Sequence, residues 1–230
     1  TLHKLGPAET AFVTQVISNG DEAALSPAVW GWVKKSEAER LGYTTILEML
    51  AEQSHASEEG LRQLNPEVVW PDPAEGTAVV LPNPRPFRLK PASEIRISLS
   101  RKVLRVYDEN KKTIAWFPCS IAKDKNKRPQ GLLTIQNCAD DPTYLFDSNL
   151  FAEDAEAYAL NKRLVIPPGP NNPVGVAWIG LSLPGYGIHG TPVPEDIGKT
   201  ESHGCFRLSN WNAEKLMKMI RIGTPVMIED

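Results

Sequence analysis

The stretch EIRISLSRKVLRVYDEN, residues 94–110, decides the fold. Ile95, Ile97 and Leu99 alternate with Arg96 and Ser98, and after a Ser-Arg-Lys turn the run Val103-Leu104-Arg105-Val106-Tyr107 follows. Successive strand side chains point to opposite faces, so this period of two predicts two half-buried strands joined as a hairpin. Thr113 to Ile121, Leu132 to Ile135, Leu164 to Ile166, Val176 to Leu181 and Pro225 to Ile228 continue the series. One strong helical pattern interrupts it, Asn210 to Arg221, with Ala213, Leu216, Met217 and Ile220 on one face and Gly223 as terminator. Residues 94–230 are therefore expected to form a mainly β, mostly antiparallel domain with one or two helices.

Upstream the hydrophobic period is 3.6. Residues 1–42 read as a helical N-terminal segment, in which Ser26-Pro27 resembles a cap and first-turn proline ahead of Trp30, Val33 and Leu41. Residues 43–83 read as a small α+β module. Ile46, Met49 and Leu50 mark one helix face, Ser57 with Glu58 and Glu59 caps a second helix carrying Leu61 and Leu64, and Asn65-Pro66 ends it. A short apolar strand, Ala78 to Leu81, follows. Residues 84–93 open with Pro84-Arg85-Pro86 and read as a stiff Pro-rich linker.

Composition narrows the function. Hydrophobic residues are 41% and charged residues 23% of the 230, values typical of globular domains and far from those of disordered chains. Residues 1–83 carry 5 basic and 12 acidic side chains and residues 84–230 carry 20 and 16. The positive half has no Arg/Lys stripe interleaved with aromatics, which argues against nucleic acid as a partner. Its one dense run, Lys123 to Arg128, reads as a solvated hairpin loop or as a point of attraction for an anionic polymer. No apolar run approaches the ~18 residues a membrane span needs. The chain starts at Thr1 with no signal peptide before it, as expected of a trimmed or mature form. Three cysteines, Cys119, Cys138 and Cys205, are too few and too odd in number for a disulfide framework.

The chemistry concentrates at the far end. His189 and His203 lie within sixteen residues of Cys205. A thiol attacks a carbonyl as thiolate and needs a neighbouring base to take its proton, so Cys205 has two candidate partners and is expected to hold a thiolate poised near neutral pH. Gly190 beside His189 and Gly204 beside Cys205 lack Cβ atoms, which suggests close backbone approach to a substrate and free N–H groups for an oxyanion. Other readings of the cluster stand beside this one. Zinc would want a fourth donor, and no CxxC or HxxxH spacing is present. A papain-like protease would place its Cys near the N-terminus with the His far downstream. A structural buried Cys with incidental histidines is the third.

The pattern resembles the L,D-transpeptidases of bacterial cell-wall assembly. It does so through His189-Gly190-Thr191, then Ser202-His203-Gly204-Cys205-Phe206-Arg207, and upstream through IPPGPNNPVG, WIGLS and GYGIHG. The resemblance covers about Ile95 to Glu229. It implies an L,D-transpeptidase-like β-sandwich with no metal and no organic cofactor, acting on peptidoglycan stem peptides. Under it Cys205 is the nucleophile, His189 the base and the Gly190 carbonyl the third member of the triad. His203, Gly204 and the Cys205 backbone would hold the oxyanion, and Ser202 and Arg207 would shape the loop, with Arg207 a candidate for contact with a substrate carboxylate. Asn171, Asn172, Trp178, Tyr186 and Thr191 are the candidate substrate-binding residues. Carbapenem β-lactams are implied as inhibitors and an extracytoplasmic location, periplasm or cell wall, as the workplace. Cys119 and Cys138 match no motif and read as free thiols, or as a disulfide pair suited to that location.

Residues 43–83, two helices, an LNP turn and GTAVVLPN, resemble a degenerate LysM module, a small fold that binds glycan. The usual opening strand of that module, with its Gly-Asp-Thr turn, is absent, and Leu41-Gly42-Tyr43-Thr44-Thr45 stands in its place. Glycan binding and a purely structural spacer are the two roles this leaves.

Overall fold

A computed structural model describes residues 11–84, 88–150, 158–199 and 204–230. The chain forms two compact units, one from Thr1–Pro27 and Tyr43–Phe87, the other from Ala28–Gly42 and Arg88–Asp230.

In the first unit, strand β1 (Phe12–Val16) pairs antiparallel with β2 (Ala78–Pro82), and helices α1 (Asn19–Ala23), α3 (Ile46–Gln53) and α4 (Glu58–Leu64) lie between them in the chain. The Thr45 side chain accepts from the Glu48 N–H, Glu48 accepts from the Thr44 N–H, and Ser57 accepts from the Gly60 N–H. These contacts satisfy amides at the starts of α3 and α4 that have no partner within the helix. Ile46, Leu47, Met49 and Leu50 from α3, Leu61 from α4, and Val79 and Leu81 from β2 form the core together with Ile17. Asn65 ends α4 and is buried. Its Oδ1 accepts from the Val80 N–H at 2.7 Å while its Nδ2 donates to Val80 O at 2.8 Å and Leu61 O at 3.0 Å, fastening the strand to the helix.

Residues 1–42 are thus not one helical segment. Phe12–Val16 is a strand, invisible in sequence because it is an edge pair with mostly exposed side chains and no alternation. No helix starts at Pro27. The backbone turns at Gly31, and the six-residue helix α2 (Trp32–Glu37) belongs to the second unit.

The second unit is mainly β. Eight strands form one sheet in the order β11-β10-β9-β6-β12-β3-β4-β5. Their ranges are β3 (Glu94–Ser98), β4 (Val103–Tyr107), β5 (Thr113–Pro118), β6 (Gly131–Asp140), β9 (Ala177–Leu181), β10 (Gly187–His189), β11 (Phe206–Arg207) and β12 (Pro225–Glu229). The predicted hairpin is present with Ile95 opposite Val106 and Ile97 opposite Leu104. Two pairs are parallel, β12 with β3 and β10 with β11. A register shift between Ile135 and Asn137 breaks the long strand β6 and lets the sheet fold over. Both arms then share one core, Ile95, Ile97, Leu104 and Val106 from one and Ile179, Ile188 and Phe206 from the other. Helix α5 (Asn210–Met219) adds Ala213 and Leu216 to it. The strands β7 (Tyr144–Asp147) and β8 (Arg163–Ile166) form a separate two-stranded sheet. None of the three cysteines is in a disulfide, Cys119 being buried and Cys138 exposed, so the disulfide alternative does not hold.

Replacing Asn65 by Ala leaves Val80 N–H and O without their side-chain partner in a buried site, and should cost the first unit about 1–3 kcal/mol. Urea unfolding followed by tryptophan fluorescence, where Trp70 reports on that unit's core, measures it.

Candidate active site

Strand β10 carries His189 between two neighbours. On one side β9 sets Trp178 opposite His189, and the two rings stack with centroids 5.7 Å apart and planes 20° apart. On the other side β11 runs parallel, with Ile188 opposite Phe206 and His189 opposite Arg207. Cys205 directly precedes β11, so the short parallel pair brings the nucleophile candidate alongside the base candidate although sixteen residues separate them in the chain. The chain leaving β11 stays attached, because Leu208 N–H donates to His189 O at 2.8 Å.

His189 Nδ1 lies 2.6 Å from Gly190 O. A carbonyl oxygen can only accept, so Nδ1 carries the proton and Nε2 is left with its lone pair, the tautomer a general base needs. Burial pushes the His189 pKa from 6.5 down to about 4, the Arg207 charge adds to this, and the Gly190 carbonyl opposes both. Burial raises the Cys205 thiol, and only partly do a Gly187 N–H and the positive Arg207 counter it. The resting pair is therefore a neutral thiol beside a neutral imidazole. This differs from the poised thiolate expected from sequence, because spacing shows which groups meet and not how much water they keep.

A single amide holds this arrangement. Asn210, the first residue of α5, is fully buried; its Oδ1 accepts from Thr191 N–H at 3.1 Å and Val176 N–H at 3.3 Å, and its Nδ2 donates to Pro170 O at 3.1 Å. A Cβ on Gly190 would sit 2.2 Å from Asn210 Oδ1, and one on Gly175 1.9 Å from it. Gly190 is glycine for this reason. Its N–H is already committed to Ala177 O, so of the two glycine amides expected to serve an oxyanion this one is spent on the sheet.

The other candidates divide. Tyr186 lies over Gly204, beside the nucleophile. Cys205 Sγ is 3.6 Å from Gly185 O. Trp178 braces the His189 ring. Asn172 is fully buried, with Nδ2 on Pro167 O and Oδ1 accepting from Val174 N–H, so it builds the loop and cannot line a groove. Asn171 bonds through its backbone N–H to Leu41 O and through Nδ2 to Gly42 O, and Thr191 caps Val193 N–H. Asparagine in a Pro/Gly-rich loop looks the same in sequence whether it faces a ligand or its own backbone. Ser202 and His203 lie outside the described residues. Two residues of the site were not anticipated. Asn210 reads in sequence only as a helix start, and Tyr144, within electrostatic range of Cys205 and Arg207, carries no motif.

A buried neutral histidine makes stability depend on pH. The unfolded chain binds a proton near 6.5 and the folded chain only near 4, so stability is complete above about pH 6.5 and falls as pH drops through that window. The loss is on the order of 3 kcal/mol once His189 charges. Thermal unfolding of wild type and His189→Gln between pH 7.5 and 4.5 should show a decline in wild type that is shallower in the variant.

Comparison with known proteins shows what the chain is similar to. A protein named "Putative L,D-transpeptidase YkuD" from Bacillus licheniformis is 28% identical over 187 residues, covering 79% of this chain and 92% of its own. "Putative L,D-transpeptidase YqjB" of Bacillus subtilis is 29% identical over 170 residues, 70% of this chain and 78% of its own. Among solved structures, an L,D-transpeptidase from Mycobacterium smegmatis is 20% identical with a TM-score of 0.46; the match covers 67% of this chain and 64% of that one. The family model that matches residues 92–228, from just ahead of β3 into β12, is that of the YkuD L,D-transpeptidase catalytic domain, and this chain belongs to that family.

Proposed function

We propose that the protein is a cysteine acyltransferase that crosslinks peptidoglycan through a thioester on Cys205. The observation that carries the reading is the His189 tautomer: Nδ1 is tied to Gly190 O and Nε2 is free, on the strand next to Cys205. In the first half-reaction Cys205 Sγ attacks the carbonyl of the third residue of a stem tetrapeptide as His189 Nε2 takes the thiol proton. Collapse of the tetrahedral adduct breaks the amide bond, and the same proton passes to the departing D-alanine amine. The acceptor amine then attacks the thioester, His189 takes its proton, and the thiol is restored as the 3→3 crosslink forms. Backbone N–H groups at Gly204 and Cys205, with His203, are assigned the oxyanion, and Arg207 holds positive charge beside the developing negative charge.

A thiol raised by burial suits this sequence of steps. Proton transfer accompanies attack, so the thiolate exists only when a carbonyl is in place to receive it, which protects the resting enzyme from oxidation. Water or a lipoprotein lysine as acceptor would make the same acyl-enzyme a carboxypeptidase or an anchoring enzyme. The workplace this chemistry implies is extracytoplasmic, where peptidoglycan lies.

Incubation with disaccharide-tetrapeptide, read by mass spectrometry, should give crosslinked dimer and free D-alanine. Cys205→Ala should abolish both, and tripeptide without dimer would reject crosslinking. A carbapenem should add once to the intact protein. That adduct should be absent in Cys205→Ser, formed at least about a hundredfold more slowly in His189→Ala, and unaffected by Cys119→Ser or Cys138→Ser.

For the first unit, in which α3 and α4 pack with β2 and β2 pairs with β1, we propose retention on glycan through the LysM-like pattern. Soluble chito-oligosaccharide should release the full chain from murein sacculi without inhibiting turnover of soluble muropeptide. Unchanged sedimentation would leave that unit a spacer.

A further inference from the structure

Among the described residues the two-stranded sheet β7–β8 shares no strand pairing with the eight-stranded sheet, and an isolated two-stranded hairpin is at best marginally stable in water. What packs on it is the segment Ala28–Gly42, which interrupts the chain of the first unit yet belongs to the second. Trp32 of α2 stacks on Phe146 with centroids 4.0 Å apart and planes 16° apart, and meets the Tyr144 ring at 6.4 Å. Leu41, Phe146 and Ile166 form a buried cluster, with Val29, Trp32, Ala38, Tyr144 and Leu164 around it. The segment's end is anchored separately. Leu41 N–H donates to Pro168 O at 2.8 Å, Asn171 N–H donates to Leu41 O at 3.0 Å, and Arg40 pairs with Asp141. Gly169 has φ +134°, and a Cβ there would stand 2.1 Å from Leu41 O, so the loop is shaped to receive this segment.

The hairpin face that the segment supports bears on the reaction centre. Tyr144 lies within electrostatic range of Cys205 and Arg207, and Ile166, its partner across the hairpin, leads directly into the loop Pro167–Val176 whose two ends Asn210 holds, through Pro170 O and Val176 N–H.

We infer that Ala28–Gly42 is a built-in support of the active site, and that Trp32 is a positioning residue that holds the β7–β8 hairpin and, through Ile166, the loop Pro167–Val176 that Asn210 ties to Thr191 beside His189-Gly190. This rests on the acyl-transfer reading only in giving Cys205 its role; the packing argument does not need it. The stack of Trp32 on Phe146 of β7 supplies the apolar contact that two strands alone lack, and removing Trp32 loosens the hairpin and its loop and lets water reach the thiol. Water relieves the burial that raises the thiol, so the same change should speed a simple alkylating agent and slow a reaction that needs an ordered site.

The test uses the full chain with Trp32→Ala and Trp32→Phe. Iodoacetamide alkylation is followed cysteine by cysteine by mass spectrometry, together with amide hydrogen exchange and turnover of disaccharide-tetrapeptide. In Trp32→Ala, Cys205 alkylation should rise about fivefold and exchange of the 144–147 and 163–166 amides about tenfold. Buried Cys119 and the 95–97 amides should stay protected, and turnover should fall about tenfold. Trp32→Phe, which keeps an aromatic stack, should restore all three readings to within about threefold of wild type. Unchanged Cys205 alkylation and hairpin exchange in Trp32→Ala would overturn the inference. So would Cys119 becoming reactive in parallel, which would show general loosening of the fold. A wild type that turns over no muropeptide would instead overturn the acyl-transfer reading and leave the alkylation and exchange results to decide this one.

Discussion

The close approach of two glycines to one buried amide is the constraint on which the site depends. Gly175 and Gly190 both press against Asn210 Oδ1, and that oxygen accepts from the N–H groups next to each of them. The loop from Pro170 to Val176, the strand end at His189-Gly190 and the start of α5 are thereby locked to one point. Because Gly190 O receives the His189 Nδ1 proton, fixing this point also fixes the tautomer and direction of the imidazole. An unsatisfied amide at such depth would cost as much as several surface contacts contribute, so the arrangement has few alternatives.

Electrostatics follow from the same enclosure. With Trp178 against its face and the sheet behind it, His189 keeps little contact with water and stays neutral far into the acidic range. Arg207 works on both partners in the same sense. Its charge discourages a proton on His189 and favours a negative sulfur on Cys205. Burial disfavours the charged form of both groups.

Support for the site comes from a part of the chain that would pass as a connector. Ala28–Gly42 leaves one unit and returns to it, and between those points it packs Trp32 on Phe146 and threads Leu41 into the loop at Gly169. A deletion that treats residues 1–83 as one appendage removes this packing along with the first unit.

Period-two alternation from Ile95 to Tyr107 and the helical stripe at Ala213 and Leu216 identify the β domain from sequence, because burial of one face leaves a local trace every second or every third to fourth residue. His189 and Cys205 are legible as a pair because nucleophile and base each require a particular residue type. The strands Phe12–Val16, Gly187–His189 and Phe206–Arg207 leave no such trace. The first is a mostly exposed edge strand, and the others are two or three residues long and exist only through their partners. Sequence could not tell Asn172, sealed in its loop, from an asparagine facing substrate, nor single out Asn210 and Tyr144, whose importance comes from what lies against them. The residue types needed for the chemistry were thus set by the sequence alone. The protonation states, the support from Trp32 and the roles of the asparagines were decided by tertiary structure, since desolvation and hydrogen-bond pairing depend on neighbours far away along the chain.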